Sequence, residues 1–99
     1  MTEAQLEIDS RGRLRVSGEL SMATVPGLVD QAQWDRLSGD PIEVDLQGVN
    51  RADSAGVALL IEWQRAAAQR QQRLRFENIP AQMRSIAHLS GVDELLSIN

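Results

Sequence analysis

The 99-residue sequence contains no cysteine and no lysine. Without cysteine there can be no disulfide framework, no thiolate nucleophile and no cysteine zinc site. The ten basic residues are all arginine, against 14 acidic ones, for a net charge of −4. That balance argues against a nucleic-acid binder, which needs a basic patch. Long apolar runs are also missing. The longest aliphatic stretch is Val57-Ala58-Leu59-Leu60-Ile61, far below the ~20 residues that span a bilayer. The stretch Met1-Thr2-Glu3-Ala4-Gln5 has neither the basic nor the apolar region of a secretory signal. The expectation is a cytosolic chain that reaches a membrane only through a partner, with no direct insertion.

Catalytic groups are equally scarce. The single histidine, His88, cannot make a usual zinc site alone, so neither metal nor cofactor is expected. No Gly-rich phosphate loop is present, so the chain should not hydrolyse nucleotide. The segment Ala52-Asp53-Ser54-Ala55-Gly56 imitates a nucleophile elbow, but Ala52 stands where glycine is wanted. His88 falls on the polar side of its helix, away from any triad. The reading is a protein without catalysis.

What remains is a chain of one-domain size, 42% apolar, with an alternating α/β pattern. Leu6-Glu7-Ile8-Asp9 and Leu14-Arg15-Val16-Ser17 alternate around the turn Ser10-Arg11-Gly12, predicting a hairpin. Thr24 as cap, Pro26 in a first turn, and Val25, Leu28, Val29 and Ala32 at helical spacing predict a helix ending near Ser38-Gly39-Asp40-Pro41. Ile42–Leu46 reads as a strand and Gln47–Ala52 as a loop. A long helix runs from about Ser54 to Gln71, followed by a strand at Leu74-Arg75-Phe76. Pro80 opens a last helix with Gly91 at its C-cap, and Val92–Ile98 forms an apolar turn over the sheet. The predicted fold is a mixed four-stranded sheet, an antiparallel hairpin followed by parallel βαβ units, with helices packed against it. Partners of such sheets meet the carboxyl ends of the strands.

One such end carries Asp53-Ser54-Ala55-Gly56. Either Asp53 or Ser54 can cap the long helix, and Asp53 complements its dipole. Capping does not account for Ala55-Gly56, which leave the helix start bare; Gly56 allows another group to approach closely. Asp-Ser-(Ser/Thr/Ala/Gly)-Gly at this place resembles the signature of STAS domains. Val16-Ser17-Gly18-Glu19-Leu20, Val44-Asp45-Leu46 with Val49, and Gly91-Val92 resemble the same family, so the likeness covers residues 1–99 as one STAS domain. Its members include anti-anti-sigma factors, cytosolic tails of sulfate transporters and MlaB-type subunits of phospholipid-transport ABC systems. In anti-anti-sigma factors the phosphorylated serine lies just before the turn's glycine. Here that position is Ala55, without a hydroxyl, and Ser54 matches the position where MlaB-like members carry Thr or Ser. Phosphorylation of Ser54 remains chemically allowed at a helix N-terminus.

The resemblance therefore implies an accessory subunit that binds the ATPase of an ABC phospholipid transporter and supports outer-membrane lipid asymmetry. It would be peripheral on the cytosolic face of the inner membrane. The alternative is an anti-anti-sigma factor binding a kinase-type anti-sigma factor. Asp53, Ser54, Ala55 and Gly56 would form the contact. On a helical wheel, Val57, Leu60, Ile61, Ala67 and Ala68 make the core stripe. Leu59 and Trp63 extend the apolar arc beyond the ~100° that a core needs, so they are expected to add partner-binding surface. Trp34 lies opposite its helix's apolar stripe, either exposed or covered by a loop.

Overall fold

A computed structural model describes residues 3–96. The alternation of the first segment folds as predicted: strand β1 (Gln5–Ile8) pairs antiparallel with β2 (Leu14–Leu20), setting Leu6 against Val16 and Ile8 against Leu14. Asp9 closes the hairpin. Its carboxylate accepts bonds from the Arg11 and Arg13 amides at 2.8 and 3.0 Å and from the Arg13 guanidinium at 2.7 Å. Led by the Arg13 amide and partly opposed by desolvation, these bonds lower its pKa from 3.8 to about 2.

The next segment departs from expectation. In place of one α-helix there are two 3₁₀ turns, Val25–Gly27 and Trp34–Arg36. Thr24 does not cap forward. Its hydroxyl accepts from the Ser21 amide at 3.0 Å and donates to the Glu19 carbonyl at 2.7 Å, closing the loop behind it. Gly27 and the β-branched Val25 and Val29 add little helix propensity to offset an unsatisfied start. The apolar spacing still serves the core, because Val25, Leu28, Ala32 and Leu37 are buried. Trp34 is half-buried and packs against the core.

Strand β3 (Ile42–Ala52) is parallel to β2 and runs through the segment predicted as a loop. The pairing shifts register between Arg15 and Ser17 and again between Gly18 and Glu19. After the first shift Gly48 faces Ser17, where an added Cβ would lie 2.8 Å from the Ser17 Cβ. Only glycine lets the strands stay that close. The shifts also break the period-two pattern: inward residues follow Ile42, Val44, Leu46, then Val49 and Ala52.

Helix α1 (Ser54–Gln69) leads to β4 (Leu74–Glu77), parallel to β3, and then to α2 (Ala81–Leu89). The sheet order is β1-β2-β3-β4. Gly91, at φ +72°, ends α2 as predicted, with Gly91 and Val92 amides bonding the His88 and Ala87 carbonyls. Of the predicted apolar turn, Val92 is half-buried and Leu96 buried, but Leu95 is exposed and covers nothing, while Ser97 and Ile98 lie outside the described residues.

The buried apolar residues form one cluster between the sheet and the helices. The opposite sheet face is charged, with Arg13 and Arg75 both on Glu43, at 3.5 and 3.0 Å, and Arg15 on Asp45 at 3.8 Å. Burial works against the Asp45 charge. Bonds from the Asn78 amide and the Gln47 N–H, helped by Arg15 and Arg13, outweigh it and hold the carboxyl below its usual value.

Candidate functional site

The turn at Asp53 is tied to the end of β2 before it starts α1. The Asp53 amide donates to the Leu20 carbonyl at 3.0 Å, and its carboxylate accepts from the Ala55 amide at 2.8 Å. Of the two candidate caps, Asp53 is therefore the cap and Ser54 the first helical residue. Ser54 is exposed, Ala55 half-buried and Gly56 buried. Among the described residues the Ser54 hydroxyl has no hydrogen-bond partner. Gly56 makes room inside the molecule. A Cβ there would lie 3.1 Å from the Leu20 Cβ and 3.4 Å from the Met83 methyl, so its absence lets α1 settle against β2 and α2.

Leu59 and Trp63 require a correction. Both are fully buried, at 0% exposure, and cannot present apolar area to a partner. The buried face of α1 consists of Gly56, Val57, Leu59, Leu60, Trp63 and Ala67. It is wide because α1 is covered by more than the sheet, with α2 and the Val25 turn also packing on it. Ala68, predicted within the stripe, is exposed, and Ile61 only half-buried.

The structure adds residues beside the turn. Leu20 and Asp53 are bonded, so the loop Ser21–Thr24 starts beside Asp53, at the same end of the sheet as Ser54. That loop is held by Thr24 and by the Ser21 hydroxyl, which donates to the Glu19 carboxylate at 2.9 Å. It presents Met22 with 77% of its surface exposed. Next to it a polar cleft of about 280 Å³ is lined by Glu19, Ser21, Arg51, Asp53 and Gln82. The Gln82 side chain accepts from the Ala52 amide at 3.3 Å, linking α2 to the end of β3. Met22, Arg51 and Gln82 escaped the sequence reading. For Met22 a signal existed: it follows the carboxyl end of a strand parallel to the one that delivers Asp53.

Chemically, this end of the sheet offers an exposed methionine, a polar cleft and, on Ser54, a hydroxyl without a partner among the described residues. His88 is exposed on α2, with its ring nitrogen 2.9 Å from the Asp93 carboxylate. That bond, ahead of an opposing desolvation, lowers the Asp93 pKa. Among the described residues no group of three or more His, Cys, Asp or Glu side chains is placed to hold a metal, and no helix is long and apolar enough to cross a membrane.

Comparison with known proteins gives one family. The family profile described as "Mlab, STAS domain" matches residues 4–97. A comparison with curated protein sequences finds no match. Among solved structures, the unphosphorylated anti-sigma factor antagonist SpoIIAA superposes with a TM-score of 0.60 at 20% identity, covering 96% of this chain and 99% of that one. SLC26A9 also gives a TM-score of 0.60, at 16% identity over 99% of this chain. The chain spans only 21% of SLC26A9. At these identities both likenesses concern the fold alone.

Proposed function

The chain belongs to the STAS family in its MlaB branch, and on that premise we propose that it is a non-catalytic accessory subunit. Its partner is the ATPase of an ABC transporter that moves phospholipid and maintains outer-membrane asymmetry. Through that ATPase it sits on the cytosolic face of the inner membrane. The observation that carries this reading is Ala55, in a chain matched by the MlaB-type profile over residues 4–97. A phospho-switch at the residue before the glycine needs a hydroxyl, and alanine has none. The free hydroxyl lies one residue earlier, on Ser54. Contact with the ATPase is made there, with Asp53 holding the turn, Gly56 seating it and Met22 beside it supplying the exposed apolar area that Leu59 and Trp63 do not.

Affinity purification of the tagged chain from membranes tests this. An ABC ATPase should co-purify in stoichiometric amount, and Ser54→Arg should abolish both that association and outer-membrane lipid asymmetry. Absence of any ABC ATPase from the purified material, with asymmetry intact in the Ser54→Arg strain, overturns the proposal. The resemblance of the fold to SpoIIAA makes the anti-anti-sigma reading worth a direct control. Incubation with a kinase-type anti-sigma factor and ATP should leave the chain unphosphorylated.

A further inference from the structure

With no cysteine in the chain, the thioethers of its three methionines are the only sulfur groups that a peroxide can oxidise. Met1 lies outside the described residues. The other two are placed in opposite ways. Met83, on α2, is fully buried, at 0% exposure, with its methyl group beside Gly56. Met22 keeps 77% of its surface exposed. Oxidation follows exposure, so the two should react at very different rates.

The exposure of Met22 is built into its turn. The Thr24 and Val25 amides donate to the Ser21 carbonyl at 3.1 and 2.8 Å, and the Ala23 amide donates to the Ser21 hydroxyl at 3.3 Å. These bonds close the backbone around Met22 and leave its side chain outside. A single exposed methionine needs no explanation by itself. Its place does. Ser21, the residue before it, lines the polar cleft with Asp53, and the Leu20–Asp53 bond sets both at the carboxyl ends of β2 and β3. The other large apolar side chains exposed among the described residues, Leu89 and Leu95, lie at and beyond the far end of α2. The accessible thioether thus stands at the end of the sheet that carries the Ser54 turn.

We propose that Met22 is an oxidation-controlled contact: its thioether docks on the ATPase, and its sulfoxide does not. The inference rests on the docking reading given above. The oxidant is a peroxide. The sulfur lone pair attacks one peroxide oxygen, an S–O bond forms and the O–O bond breaks, and the departing hydroxide takes a proton to leave as water. Sulfur loses two electrons and the peroxide gains them. Only the unassembled chain is open to this step, because the assembly covers Met22. The product places a polar oxygen on a side chain that enters an apolar contact, where an acceptor without a donor opposes burial. Having no cysteine, the chain cannot reverse the step itself. Return needs an external dithiol and a methionine sulfoxide reductase for each epimer; the dithiol becomes a disulfide and the oxygen leaves as water. Met22 is no part of the core cluster, so the fold is the same in both states.

The test uses the full chain and the ATPase recovered with it by affinity purification. Treatment of the free chain with hydrogen peroxide, followed by catalase and peptide mass mapping, should add one oxygen to Met22 well before Met83. The Met22 sulfoxide should bind the ATPase roughly tenfold more weakly or worse, with the urea unfolding midpoint unchanged. The two reductases with dithiothreitol should restore binding, and in the preformed complex Met22 should be protected from peroxide. Whatever affinity Met22→Leu retains should be the same before and after the treatment. Equal binding by the oxidised and reduced chains, a loss that the reductases do not reverse, ready oxidation of Met22 inside the complex, or continued peroxide sensitivity of Met22→Leu overturns this inference and leaves the docking reading standing. Failure of the untreated chain to bind any ATPase overturns both.

Discussion

The buried face of α1 and its first turn are built from adjacent residues, yet they stand in opposite relation to solvent. Leu59 and Trp63 look like partner anchors by composition, and both are enclosed. Ser54 looks like a helix cap, and it is left over, because Asp53 takes that bond. The breadth of an apolar arc reports how many neighbours cover a helix. Here the sheet, α2 and the Val25 turn all do so. Free chemistry appears instead where capping is completed by one residue of a pair that could each supply it.

Substitutions along α1 sharpen that contrast. The largest expected effect on stability is at Trp63, where Trp63→Ala should cost about 3–5 kcal/mol in urea denaturation. Trp63→Phe should cost clearly less, since the buried indole N–H has no partner among the described residues and its loss leaves nothing unpaired. In either variant the folded fraction should retain ATPase binding. A loss of binding without a loss of stability would return Trp63 to the surface and break the comparison. Gly56→Val comes next, at about 1–3 kcal/mol, because the added carbons press on the Leu20 Cβ, which belongs to a strand and cannot swing away. Asp53→Ala removes the cap and should cost about 1 kcal/mol. It should also weaken binding, since it loosens the first turn that presents Ser54.

The sequence discloses the sheet and its order because the signals there are local. Alternation marks β1 and β2, a strand-length apolar period marks the start of β3, and Gly91 marks the end of α2. It misleads wherever a side chain serves something distant. Thr24 has the chemistry of a cap, but spends its hydroxyl on Glu19 and Ser21, so the expected helix becomes two 3₁₀ turns. Gly48 reads as a loop residue, but its missing Cβ is what β3 needs to pass Ser17 after a register shift. The turn at Asp53 was legible as a motif. Its division of labour was not, since which of two capping residues accepts the bond depends on the Leu20 carbonyl, 33 residues before Asp53 along the chain. Met22, Arg51 and Gln82 join the site through the sheet, by contacts that no spacing along the chain announces.

The smallest expected change in stability belongs to Ser54→Arg, and it tests the comparison most severely. Ser54 is exposed, does not cap and has no partner among the described residues, so the substitution should move the unfolding free energy by no more than about 0.5 kcal/mol. The arginine has to project from the first turn, because Gly56 and Ala55 offer it no packing and Asp53 occupies the open amide. It therefore blocks the approach of any surface that sits on the turn, while α1 and the sheet remain as they were. Full loss of ATPase association at unchanged stability would place recognition on the exposed end of α1. Binding that survives Ser54→Arg but fails with Met22→Ser would move the centre of contact to the loop after β2, which the Leu20–Asp53 bond keeps at the same end of the sheet.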